Sequence, residues 1–186
     1  MADLSNVPWE QFPFAAKPED LVSRDFNVLA LTKSEIATRL DIVNTFPSLE
    51  ELHYAVYVCR NIMQAIKEAL GQCQVNSVFR SQTLERALKK KPANWTSKSQ
   101  HTLGQACDIE VPGMTTLALA QWVTQNLAFD QVICECYNPA EGPNSGWVHV
   151  SVVPPSLRPN RKEILSYVLN PTTREFEYVP GLVASS

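Results

Sequence analysis

The sequence predicts an α+β fold, a single domain whose mainly antiparallel sheet is packed with helices. Three observations carry this expectation. The first part of the chain shows apolar residues at helical spacing behind recognisable caps. After Gly71 the period changes to two in several short segments rich in Val and Ile. A chain of 186 residues with 45% hydrophobic content has enough material for one core and is short for two. Helices come first, then strands with one helix inserted, the order expected of α+β rather than of alternating βα units.

Residues 1–25 hold Pro8, Pro13 and Pro18 with Trp9, Phe12 and Phe14 between them. They read as an extended arm, either strapped across the domain or reserved for a partner; residues 26–186 form the domain proper. "TKSEIATRL" places Thr32 and Glu35 at capping-box spacing for a short helix. "PSLEELHYAVYVCRNIMQAIKEALG" is a longer one, with Ser48 and Glu51 as its capping box and Gly71 as its stop. Leu52, Val56, Cys59, Ile62, Met63, Ile66 and Leu70 make its apolar stripe, and His53 lies off the stripe as a solvated residue. "QVNSVFRS", "ACDIEV", "FDQVICECY" and "WVHVSVV" read as strands. Between the second and third, "MTTLALAQWVTQNLAF" is an amphipathic helix capped by Thr115 or Thr116. "EILSYVL", "NPTT" and "REFEYVP" form a hairpin with Asn170-Pro171 in its turn.

Composition narrows the function classes. A net charge of −3 gives no global attraction to nucleic acid, and the Lys89–Lys91 run lacks the interleaved aromatic residues that stack bases. That run reads as a solvated face able to attract an acidic substrate locally. Five cysteines, odd in number and without a CxxC pair, do not make a disulfide framework. Cys134 and Cys136 read as small buried hydrophobes sharing a face with Val132, a CxC metal site being the sharper alternative. The first residues contain no basic region followed by an apolar run, so no signal peptide is expected, and no apolar stretch reaches membrane-spanning length.

The stretch "SQHTLGQACDIEVPG" concentrates the chemistry. Alternation puts Asp108 and Glu110 on one face of their strand, His149 and Ser151 on one face of theirs, and Glu135 on the side of Gln131. If these faces converge with His101, on the turn before the Asp108 strand, His101, Asp108 and His149 supply two nitrogens and one oxygen. That set suits a zinc ion with one position left for water, or another divalent ion. Glu135 is then the carboxylate that moves the water's proton. Gly104 and Ala106 are read as small residues that let the chain approach the metal. Spacing alone is not decisive, since a His at a loop end and an Asp on a strand are more often a cap and a surface carboxylate.

"SQHTLGQACD" resembles the Ser-x-His-x-x-Gly-x-Ala-x-Asp motif of the zinc D-Ala-D-Ala peptidase family, which shares its fold with the Hedgehog signalling domain. "FDQVICECY…GWVHVSV" resembles that family's second half, and the similarity runs from about Leu31 to the C-terminal hairpin, closest to compact phage-encoded peptidoglycan peptidases. The resemblance implies a Hedgehog/DD-peptidase-like domain with Zn2+ on His101, Asp108 and His149. It implies Arg80 as the group that holds the substrate carboxylate or oxyanion, and Ser99 as support for the ligand turn. One departure stands out: where many members carry the catalytic acid three residues before the last histidine, this chain has Gly146. Other members carry the acid at the end of the preceding strand, where Glu135 falls, with Glu110 and Glu141 as substitutes. The function implied is a zinc metallopeptidase, an endolysin or virion-associated enzyme made in a host cytoplasm and acting on peptidoglycan stem peptides or cross-links. The alternative is a structural or docking component of a virion that keeps the fold and zinc site, with the N-terminal arm engaging other virion proteins.

Overall fold

The computed structural model describes residues 1–185. Its centre is a six-stranded sheet of β1 (Gln74–Ser77), β2 (Ala106–Glu110), β3 (Gln131–Glu135), β4 (Trp147–Ser151), β5 (Glu163–Leu169) and β6 (Phe176–Pro180), in the order β1-β2-β4-β3-β5-β6. Every neighbouring pair is antiparallel except β3 and β5, which run parallel. The mixed α/β architecture and mainly antiparallel sheet agree with the sequence expectation; the parallel pair was not foreseen. It arises because residues 152–162 carry the chain from β4 past the start of β3 to β5. Asp130, fully buried just ahead of β3, anchors that crossing through Arg158 and Arg161.

The helices are α1 (Leu29–Thr32), α2 (Glu35–Arg39), α3 (Leu49–Val58), α4 (Gln64–Leu70), α5 (Gln82–Leu88) and α6 (Thr116–Asn126). A π-helical segment, Cys59–Met63, joins α3 to α4, so the expected long helix is continuous with one wide turn. Ser48 caps its start by accepting from the Glu50 N–H, and its hydroxyl donates to Glu51. Gly71 ends it with φ of 78°. The cap of α2 is Ser34, which accepts from Ala37 N–H, rather than Thr32, which closes α1. Thr115 caps α6. Among the described residues no helix is long and apolar enough to cross a membrane.

One face of the sheet is the core: Cys107 and Ile109 of β2, Val132 and Cys134 of β3, and Val148 and Val150 of β4 form one cluster with the stripes of α3, α4 and α6. The opposite face carries Asp108, His149, Ile133 and Glu135, as alternation predicts. Cys136 follows β3 with φ of 57°, which breaks the alternation and leaves it half-buried instead of inside with Cys134. Burial pushes the Cys59, Cys73 and Cys134 thiols up to about 12, so they stay protonated and inert.

Residues 1–25 lie against α3 and the π-helical segment. Phe12 and Val22 are core residues, and the Arg60 guanidinium donates to the Leu4, Val7 and Val22 carbonyls. His53, expected in solvent, is partly buried instead: its Nε2 meets the Phe12 carbonyl at 2.9 Å and its ring meets Trp9 edge-on. The arm covers it, a long-range contact that helical periodicity does not encode.

Candidate metal centre

Strand register brings the acid and the second histidine together. Asp108 on β2 sits directly opposite His149 on β4, and Ile133 on β3 lies on the far side of His149. The third member arrives on a 3-10 turn, Gln100–Leu103, which enters β2 through Gly104. Gly104 has φ of 69°, and a Cβ there would lie 2.2 Å from the Glu51 carbonyl oxygen. Its smallness therefore serves packing of the turn onto α3, not approach to the metal as the sequence reading held. Ala106 is buried within β2. Ser99 supports the turn through its carbonyl, which accepts from the N–H and hydroxyl of Thr102.

The three ligand atoms form a near-equilateral triangle. His101 Nε2 lies 3.1 Å from Asp108 Oδ1 and 3.1 Å from His149 Nδ1, and His149 Nδ1 lies 3.1 Å from Asp108 Oδ1. All three residues are buried. A metal with ligand bonds of about 2.0–2.1 Å and near-tetrahedral angles holds its ligands about 3.3 Å apart, so the spacing fits. The tautomer fits too: His101 Nδ1 is 2.7 Å from the Val78 carbonyl, which can only accept, so the proton sits on Nδ1 and Nε2 presents a lone pair. Burial drives the His101 pKa down to about 4, keeping the ring neutral. Burial alone would raise the Asp108 carboxyl, but His101, His149 and Arg80 hold it well below the usual carboxylate range. His101 thus offers a neutral imidazole and Asp108 a carboxylate, the protonation states a divalent metal requires of such ligands.

Arg80 leaves the end of the β1 segment and donates from one terminal nitrogen to Asp108 Oδ2 at 2.9 Å, turning Oδ1 towards the histidines. Its other terminal nitrogen is 3.4 Å from Glu85. Glu85 is itself buried, on α5, and takes bonds from Ser97 and Lys89. Sequence reading found Arg80 but not Glu85, whose role depends on α5 folding back over the site.

The triangle opens into a cleft of roughly 350 Å3. Arg80, Ser99, His101, Glu135 and His149 all line it, so five of the six residues singled out from sequence share one cavity wall, with Asp108 bonded beneath. Burial, then the nearby Asp108 charge, raise the Glu135 carboxyl to about 7, a value suited to accepting and returning a proton near neutrality. Glu110 is bonded by Asn76 and Glu141 by Asn138, and neither lines the cleft. The departure at Gly146 has a physical reason. With φ of 70°, a Cβ there would lie 2.0 Å from the Glu135 carbonyl oxygen, so the backbone leaves no room for an acid at that position. Lys89 and Lys98, read from sequence as part of one basic cluster, line the cleft too, whereas Gln131, Arg161 and Tyr178 were not singled out as site residues. Gln131 shares Glu135's strand face and was within reach; Arg161 and Tyr178 arrive only through the crossing and the hairpin.

Compared with known proteins, the chain matches no family model and no curated protein. The centre's own geometry therefore carries the functional reading. Among the described residues, His101, Asp108 and His149 are the one cluster of three metal-ligating side chains that converges, with ligand atoms within 4.8 Å of one another.

Proposed function

We propose that this protein is a zinc metallopeptidase of the Hedgehog/DD-peptidase fold that hydrolyses an amide bond in peptidoglycan stem peptides or cross-links, and that it is phage-encoded. The observation that carries the proposal is a three-ligand centre on a cleft wall it shares with a carboxyl held near 7. A structural zinc site normally closes its shell with four protein ligands, whereas hydrolytic sites use three and leave a position for substrate or water. The resemblance of "SQHTLGQACD" and "GWVHVSV" to the zinc D-Ala-D-Ala peptidases supplies the substrate class.

Each residue then has a task. His101, Asp108 and His149 would hold the zinc, which supplies a Lewis acid that polarises the carbonyl and acidifies water. Glu135 takes the proton of the attacking water and delivers it to the leaving amine. Arg80, its fork oriented by Asp108 and Glu85, engages the substrate carboxylate or the developing oxyanion. Ser99 and Val78 hold His101 in place and in the right tautomer.

Hydrolysis of isolated cell-wall material by wild type and Glu135→Gln tests this. We expect the variant to lose about 100-fold or more in rate, the usual share of a general base, while keeping its metal. Equal activity of the two, or no release of peptide by wild type, refutes the catalytic role and favours a virion component that keeps the site for stability.

A further inference from the structure

The cleft beside the candidate centre is far more basic than the chain as a whole. The sequence has 16 Lys and Arg against 19 Asp and Glu. Yet Arg80, Lys89, Lys98 and Arg161 all line this cleft, and among the described residues Glu135 is the sole carboxylate on its wall. Three of the four cations are already answered. Arg80 meets Asp108 at 2.9 Å, Lys89 meets the buried Glu85 at 2.7 Å, and Arg161 is held by Asp130 at 2.7 Å and Glu163 at 3.2 Å. Lys98 is exposed and, among the described residues, is the one cation of the four that makes no ion pair. An exposed lysine on a loose loop is ordinary, but here the backbone is pinned. Gln82 of α5 brackets Ser97: its amide nitrogen donates to the Ser97 carbonyl at 3.2 Å, and its oxygen accepts from the Ser97 N–H at 2.8 Å. The Ser97 hydroxyl donates to Glu85 Oε2 at 2.8 Å and accepts from the Ser99 N–H at 3.1 Å. Lys89 takes the same Glu85 oxygen, so its ammonium stands one carboxylate oxygen away from the residue before Lys98.

We propose that Lys98, with Lys89 beside it, is a subsite for a side-chain carboxylate, so that the cleft selects peptides with an acidic residue near the amide being cut. The inference rests on the amide-hydrolase reading of the cleft and gives it a second anchor, distinct from Arg80. With the other three cations paired, Lys98 leaves one positive charge, which matches a carboxylate rather than a phosphate dianion. α5 ends at Lys89, and the partial negative charge of its last carbonyls opposes a dianion on the same side. Lys98 supplies an unshared ammonium, and Lys89, whose side chain is 45% exposed, keeps donors beyond the one it gives Glu85. Cleft walls displace part of the water that screens charges on an open surface, so the pair discriminates more strongly here. The chain also sets a distance. Lys98 is three residues before His101, so their Cα atoms are at most about 11 Å apart. An extended peptide covers that span in about three residues, which places the acid within about three residues of the amide.

The test uses the full chain, loaded with zinc, and peptides prepared from isolated cell wall, either with free carboxyls or with the carboxyls converted to primary amides. Calorimetry reads binding, and product release reads cleavage. Wild type prefers the free acids in both, and the preference shrinks as salt is raised. Lys98→Ala lowers it by about threefold to fivefold, and the remainder is the share held by Arg80. Lys98→Arg preserves the preference, and Lys98→Glu lowers it further than alanine does. Equal preference in wild type and Lys98→Ala, or failure of wild type to bind either form, overturns the subsite. Inorganic phosphate that displaces the free acids from wild type but not from Lys98→Ala overturns its assignment to a carboxylate. Cleavage by wild type without any preference for the acids refutes this inference alone. Acid-selective binding that depends on Lys98, without any cleavage, refutes the hydrolase reading and leaves the subsite standing.

Discussion

Glu135 illustrates how a functional group is made costly by its surroundings. Its carboxyl is raised to about 7 from an ordinary 4.5, so between those values the unfolded chain ionises while the folded one keeps its proton. Stability of the metal-free protein therefore falls as pH rises through that window and stays lowered above it. Glu135→Gln removes the effect: with a chelator present we expect it to be more stable than wild type by about 1–3 kcal/mol at pH 8, with no difference at pH 4. Thermal melts of both proteins at the two pH values check this, and a pH-independent difference contradicts it. Gly146 makes the complementary case, where space rather than charge decides. Gly146→Ala places a Cβ against the Glu135 carbonyl and forces a side chain into the left-handed region, so we expect a loss of at least about 2–4 kcal/mol in urea unfolding. A neutral outcome would mean that β3 and the loop before β4 separate more easily than their contact implies. Both residues were visible in sequence, Glu135 from strand alternation and Gly146 as a missing acid. The reason for the glycine was not visible, because it is a contact with the Glu135 backbone on a separate segment.

At the scale of elements, local patterns were legible and their partners were not. The helix bounded by Ser48 and Gly71, the Thr115 cap and the Asn170-Pro171 hairpin follow from residues within one turn or one loop of each other. The side-by-side β3 and β5 depend on Asp130, Arg158 and Arg161, which no periodicity links. The N-terminal strap is a similar case. Pro-rich spacing marked residues 1–25 as an arm, but Arg60 on the π-helical segment is what holds it, through three carbonyls. Arg60→Ala should release it: hydrogen exchange at the amides of Leu4, Val7 and Val22's neighbours should quicken by an amount corresponding to about 2–3 kcal/mol, with the sheet unaffected. Unchanged exchange there would show that Phe12 and Trp9 hold the strap without the arginine.

Across the whole molecule the site exists only because of strand order. Its candidate ligands come from β2, β4 and the turn between residues 99 and 104, the Glu135 carboxyl from β3, its arginine from the segment after β1, and Tyr178 from β6. The motif in "SQHTLGQACD" names two ligands; placing His149 beside them requires β4 to pair with β2, and placing Glu135 within reach requires β3 on the other side of β4. The central claim is that this order builds a metal centre from His101, Asp108 and His149, and it is tested most directly by the metal content of purified wild type beside His149→Ala. The account predicts about one zinc per chain in wild type and almost none in the variant, with the variant still folded. Equal metal in the two proteins, or none in wild type purified with zinc present, would contradict it.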